Sequence, residues 1–135
     1  MTNSRRWVLA LLMAGLAFTV TLDTLQDAPY RFLTGFTQHE LQELAYLPGP
    51  ELERRIGLRE VPGGFTGTRG FQGRAAHAIA SYLGTRRWGP DVTLACGYMR
   101  EYVPWLLGQK DADPIDIAAN YAGVAQALRD AQRQP

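Results

Sequence analysis

Arg5 and Arg6 stand directly before a run, Trp7 to Leu22, that carries no charge. No other feature limits the architecture as tightly, because so apolar a stretch must be taken out of water. A bilayer span needs roughly 20 residues, with a range of about 17 to 25. The run falls slightly short, and flanking Arg6, Asp23 and Thr24 can extend it by snorkelling. The apolar region of a cleaved leader is typically about 7 to 15 residues, slightly less than this run. Gly15 and Ala17 would place small residues at −3 and −1 of a cleavage site, yet "FTVTL" continues the apolar run beyond it. The expectation is therefore an uncleaved anchor, with a secreted helical domain after cleavage as one alternative and a buried core helix as another. The core helix would leave the paired arginines unexplained. Arg5, Arg6 and Trp7 mark the cytoplasmic end of the anchor by the positive-inside tendency, which puts the rest of the chain outside the cytoplasm.

The 135 residues leave room for one domain beside this segment. The division expected is a tip, anchor and linker over 1–28 and a helical domain over 29–135. With 14 basic and 13 acidic residues the charge is nearly balanced, which argues against nucleic acid as a partner. The expected partner is the lipid bilayer, with a larger membrane complex as a further candidate. The single cysteine, Cys96, excludes an internal disulfide and a thiolate zinc site. Two histidines, His39 and His77, leave little material for a histidine metal site, so neither metal nor cofactor is expected.

Helix punctuation organises the remainder. Residues 23 to 36 read as a linker with a short amphipathic stretch. In "FTQHELQELAYL", Thr37 is a helix cap with Glu40 three residues on, and Phe36 can staple onto Leu41. "PGP" at 48–50 stops that helix, and Pro50 suits the first turn of a second, "PELERRIGL". From Arg59 to Gly73 five glycines and Pro62 exclude a regular helix. That stretch reads as a surface loop, or as one pinned by Phe65 and Phe71 to a membrane or partner. Helices are expected over 74–83 with Gly84 as a stop, over 91–107 with Asp91 as cap and a break at Pro104, and from Asp113 to about Arg129. No period-2 alternation bounded by hairpin turns competes, so the class is all-α: one transmembrane helix, then a small bundle of four to five short helices with a Gly-rich loop.

In the last helix, residues four and seven apart share a face. Asp116, Asn120 and Gly123 therefore form one row beside the apolar strip Ile117, Tyr121 and Val124. Asp116 is explained by the helix N-terminus, where a carboxylate gains about 0.3–1 kcal/mol. Asn120 in a helix interior points to a hydrogen bond with another element. Gly123 costs about 1 kcal/mol against Ala unless close packing requires it.

These residues carry a resemblance. "GYMREYVPWLLGQKDADPIDIAANYAG" is similar to the C-terminal signature of VanZ-like membrane proteins, in which a helix bearing a Glu is followed by an Arg-containing loop and then Asp-x-x-x-Asn-x-x-Gly. Glu101, Asp116, Asn120 and Gly123 fall on that pattern. "GRAAHAIASYLG" is similar to the family's second helix, with His77 at its His, and the N-terminal run resembles its first span. The chain departs from the pattern at Pro104, where Gln is common, at Lys110 in place of the loop Arg, and at Tyr82, one position late. The resemblance implies a divergent, shortened relative in the bacterial inner membrane, with its C-terminal domain on the periplasmic side of the envelope. It also implies a ligand-binding or interhelix polar cluster of His77, Glu101, Lys110, Asp116, Asn120 and Gly123, with Arg100 or Lys110 as counter-charge.

Catalysis is not expected. No His follows Cys96, which sits mid-helix among apolar residues, and no glycine loop follows a strand to cradle phosphate. The reading is a non-catalytic, membrane-anchored envelope protein that binds a lipid-linked or cell-wall ligand, or else a single-span accessory subunit of a larger membrane complex.

Overall fold

The computed structural model describes residues 2–19, 27–65, 71–108 and 111–134, which form seven α-helices and no strand. The chain is all-α. Helix α1 spans Asn3–Thr19, α2 Asp27–Thr34, α3 Gln38–Leu44, α4 Gly49–Ile56, α5 Phe71–Trp88, α6 Pro90–Leu106 and α7 Pro114–Arg133.

Helix α5 is the axis of the fold, touching α2, α3, α6 and α7. From Ala75 to Tyr82 every residue but His77 is buried. A helix covered on all sides shows no amphipathic stripe. Ala75, Ala76, Ala78, Ala80 and Ser81 keep its surface low, so neighbouring backbones come close. Leu41, Leu44, Leu52 and Ile56 form the core around it, with Ile79 of α5 itself. Each such side chain contributes about 1.5–3 kcal/mol on full burial.

Local punctuation works where the side-chain chemistry is unambiguous. Thr37 caps α3 by accepting from the Glu40 N–H at 3.1 Å. Pro48 precedes α4, and Gly57 at φ +80° closes it. Asp113 caps α7 by accepting from the Ile115 N–H at 2.9 Å, with Pro114 in the first turn.

Several boundaries differ from expectation. Six helices follow α1, not four to five, and α5, α6 and α7 are long, at 18, 17 and 20 residues. The added element is α2, placed where a linker was expected. It buries Tyr30 and Leu33, and Thr34 closes it by donating to the Tyr30 carbonyl at 2.7 Å and accepting from the Phe36 N–H at 3.0 Å. Gly84 does not stop α5. It lies where α2 crosses, and a Cβ there would come within 2.6 Å of Leu33 Cγ. The helix continues to Trp88, whose ring stacks on Phe32 at 4.7 Å and whose Nε1 donates to the Phe32 carbonyl. Asp91 is not the cap of α6. Gly89 is, because Pro90 takes the first-turn position, and Asp91 pairs with Arg6 of α1 at 3.2 Å. Pro104 does not end α6; the Leu107 N–H still reaches the Val103 carbonyl at 3.1 Å. Helix α7 runs to Arg133, beyond Arg129.

The Gly-rich stretch is partly packed. Val61 and Pro62 are buried in a 3-10 turn over Pro62–Gly64, and Phe65 packs on the core. Residues 66–70 lie outside the described residues, and Phe71 already opens α5.

Helix α1 packs against α6 with Met13 buried, and presents Trp7, Val8, Leu11 and Leu12 outward. Among the described residues no helix is long and apolar enough to cross a membrane. The uncharged run continues beyond Thr19, and residues 20–26 lie outside the described residues.

Candidate functional site: an ionisable cluster at the α5–α6–α7 junction

Three helices each supply one ionisable side chain to a single point. His77 comes from α5, Glu101 from α6 and Asp116 from the first turn of α7. His77 Nε2 lies 3.7 Å from Glu101 Oε1 and 3.6 Å from Asp116 Oδ2. Glu101 is fully buried, and the side chains of His77 and Asp116 are only 12% and 17% exposed.

The backbone places these groups for definable reasons. Glu101 Oε2 accepts from the Asp113 N–H at 3.1 Å, the residue whose own side chain caps α7. That bond ties α6 to the start of α7 and turns Glu101 Oε1 toward His77. Asp116 occupies the third position of α7, where the helix dipole already favours a carboxylate.

Tyr30 of α2 borders the cluster, its ring edge-on to His77 with centroids 6.4 Å apart. The Arg100 guanidinium sits 5.6 Å from the Tyr30 ring centroid. Burial pushes the Tyr30 phenol above its ordinary range; Arg100 pulls it down, and Asp116 and Glu101 add smaller pushes upward. All three charges therefore lie within electrostatic reach of one hydroxyl. A cavity of about 30 Å³, bordered by Tyr30, His77, Arg100 and Asn120, adjoins the cluster. That is room for about one water molecule.

One turn along α7 from Asp116, Asn120 is buried and accepts from Ser81 Oγ of α5 at 3.1 Å. The other element that Asn120 bonds is thus α5, through Ser81. Helix α6 meets Asn120 by shape: a Cβ at Gly97 would lie 2.5 Å from Asn120 Nδ2. Gly123 completes the row at the closest approach of α7 to α5, where a Cβ would lie 2.2 Å from the Ala78 carbonyl oxygen. So the row divides: Asp116 faces the ionisable cluster, Asn120 a neutral interhelix bond, and Gly123 a backbone contact.

Lys110 lies outside the described residues. His39 is remote from the cluster's chemistry, exposed and paired with Glu43 at 3.0 Å. Cys96 is half-buried on α6, and burial pushes its thiol up to about 12. At neutral pH it is a protonated, weakly reactive group. Sequence reasoning missed Tyr30, because the amphipathic stretch that holds it was read as part of a linker, and treated Arg100 only as a generic counter-charge. A larger cavity, about 630 Å³, lies elsewhere, between α5 and the end of α7 beside Arg86 and Asp130. Two of its polar groups are engaged within the protein: Tyr82 donates to Asp130 at 2.9 Å and Arg86 to the Ile56 carbonyl at 3.2 Å.

Fold and site together define an all-α protein with a buried His–Glu–Asp cluster shared by three helices. Comparison with protein-family models, with curated proteins and with solved structures finds no match.

Proposed function

We propose that this chain is a non-catalytic, membrane-attached helical protein of VanZ-like type, with the α5–α6–α7 cluster as its ligand site. The observation that carries the membrane part is the outer face of α1. Trp7 and Leu11 lie one turn apart, as do Val8 and Leu12, and all four are more than half exposed. The opposite face, through Arg6 and Met13, meets the rest of the fold. An apolar stripe of that kind on an otherwise docked helix favours contact with lipid. Arg5 and Arg6 at its start suit an anionic headgroup region, and the Arg6–Asp91 pair holds the start of α6 at that same end.

The proposed ligand is lipid-linked or derived from the cell wall. It is held by polar contacts near the cluster and requires no bond-making chemistry. Buried ionisable groups close to a bilayer need partners and commonly mark function.

A second reading has its own observation. Tyr98, Tyr102, Trp105 and Tyr121 are exposed and touch one another ring to ring, with Leu106 and Leu107 beside them. Aromatic residues are enriched where proteins bind proteins. On this reading the chain is an accessory subunit whose aromatic face covers a larger membrane partner.

Flotation of the purified full chain with phosphatidylglycerol–phosphatidylethanolamine vesicles tests the membrane part. The wild type floats with the vesicles, and Leu11→Glu shifts most of it to the unbound fraction. Wild type that stays unbound, or Leu11→Glu that floats equally well, overturns it. Native gels of mild detergent extracts separate the two readings: comigration with a large complex supports the subunit, whereas a free monomer or homodimer supports the stand-alone binder.

A further inference from the structure

The geometry points to a divalent transition-metal site formed by His77, Glu101 and Asp116. This rests on reading the cluster as a ligand site and is independent of membrane attachment.

The approaches of Glu101 and Asp116 to His77 are both longer than a charge-assisted hydrogen bond. Both carboxylate oxygens face the same nitrogen, Nε2, at 3.7 and 3.6 Å. An imidazolium has one N–H on that nitrogen, and a charge-assisted N–H···O bond closes to about 2.7–2.9 Å. One N–H cannot serve two acceptors well, and neither distance reaches that range. The separations instead resemble those between ligands of a shared ion. Zinc bonds of about 2.0–2.2 Å at tetrahedral angles place neighbouring ligand atoms roughly 3.4 Å apart. In this cluster, one ligand atom from each of the three residues can be chosen so that all lie within 4.8 Å of one another. Small side-chain shifts bring them onto one ion.

The surroundings fit the same role. Metal-ligating carboxylates are characteristically fixed by a hydrogen bond from outside the ligand set. The Asp113 N–H does this for Glu101 through Oε2, and Oε1 is the oxygen turned toward His77. Two carboxylates with a neutral imidazole balance a doubly charged ion. Glu101 is fully buried, where a directly bonded cation would favour its ionised form. The ligand set is mixed nitrogen and oxygen, which suits zinc, manganese or ferrous iron; magnesium and calcium prefer oxygen alone. Three protein ligands leave at least one position for water or for an anionic group of a bound ligand. The sequence reading weighed only thiolates and histidines as ligands, so it did not register this set. Its members are separated by 24 and 15 positions and converge only through the packing of α5, α6 and α7.

The test uses the full chain without an affinity tag, stripped with chelator and dialysed. Calorimetric titration with zinc and with manganese, and elemental analysis after desalting, should give one ion per chain. Asp116→Asn and His77→Gln should each weaken binding at least tenfold, and His39→Gln should leave it unchanged. Cobalt loading should give visible absorption bands that both cluster variants alter. Glu101→Gln is the less useful variant, because Glu101 also anchors α7. Folded wild type that retains no ion, or equal binding by Asp116→Asn and His77→Gln, overturns the site. Loss of the metal result with vesicle flotation intact removes the cation and leaves the membrane reading standing.

Discussion

Replacing Gly123 with Ala gives the sharpest test of the packing that brings the cluster together. In an open helix interior the change stabilises by about 1 kcal/mol, because Ala is the better helix former. At Gly123 the new methyl meets the Ala78 carbonyl oxygen at 2.2 Å, the Tyr82 nitrogen at 2.8 Å and Ser81 Cβ at 2.9 Å. Two of the three are backbone atoms of a buried helix, so no flexible side chain can swing away. Helices α5 and α7 must separate. Overpacking of this kind costs about 1–3 kcal/mol, and the backbone contacts argue for the upper end. Setting about 3 against about 1 leaves a net loss of roughly 2 kcal/mol. Urea unfolding of the full chain, followed by far-ultraviolet circular dichroism, should show a lower midpoint with an unchanged slope. Gly73 is the control, since a Cβ there meets nothing within 4 Å; Gly73→Ala should be neutral or stabilising by up to about 1 kcal/mol. Stabilisation by Gly123→Ala would refute the close approach of α5 and α7.

Three further outcomes are expected. Ser81→Ala and Asn120→Ala should be non-additive, with coupling of at least about 0.5 kcal/mol in a double-mutant cycle, because they share a buried hydrogen bond. Gly97→Ala should destabilise less than Gly123→Ala in the same urea assay, because its methyl meets the end of the Asn120 side chain instead of backbone. Cys96 should alkylate slowly with iodoacetamide at pH 8 in the folded protein and rapidly in denaturant. Since burial raises its folded pKa to about 12 from 9.0, urea stability should fall as pH rises through that interval, where the unfolded thiol ionises and the folded one does not.

How much the sequence disclosed depended on the range of the interaction. Thr37, Pro50, Asp113 and Pro114 act within a few residues, and their effects were legible from type and spacing, whereas α3 ends at Leu44, ahead of the expected stop at Pro48. The row of Asp116, Asn120 and Gly123 was legible because a helix repeats; which element each member meets was not. Ser81, His77 and Ala78 all lie on α5, whose all-round burial removes the stripe that would have flagged it as the axis. Gly84 and Asp91 were misread for a related reason. A glycine that admits Leu33 and an aspartate that pairs with Arg6 resemble a stop and a cap when tertiary neighbours are unknown. Helix α2 was legible only as a short amphipathic stretch within a linker; its order as a helix comes from Tyr30, Leu33 and Phe32 docking on α5, with Phe32 stacked on Trp88.

The convergence of α5 and α7 at the ionisable cluster is tested most directly by a double-mutant cycle between His77 and Asp116, measured by urea unfolding in chelator so that no ion contributes. His77→Ala, Asp116→Ala and the double variant should give a coupling of about 0.5–3 kcal/mol, the range for groups in contact or in one network. Effects that add to within about 0.3–0.5 kcal/mol would mean the two side chains do not meet, and would contradict the site.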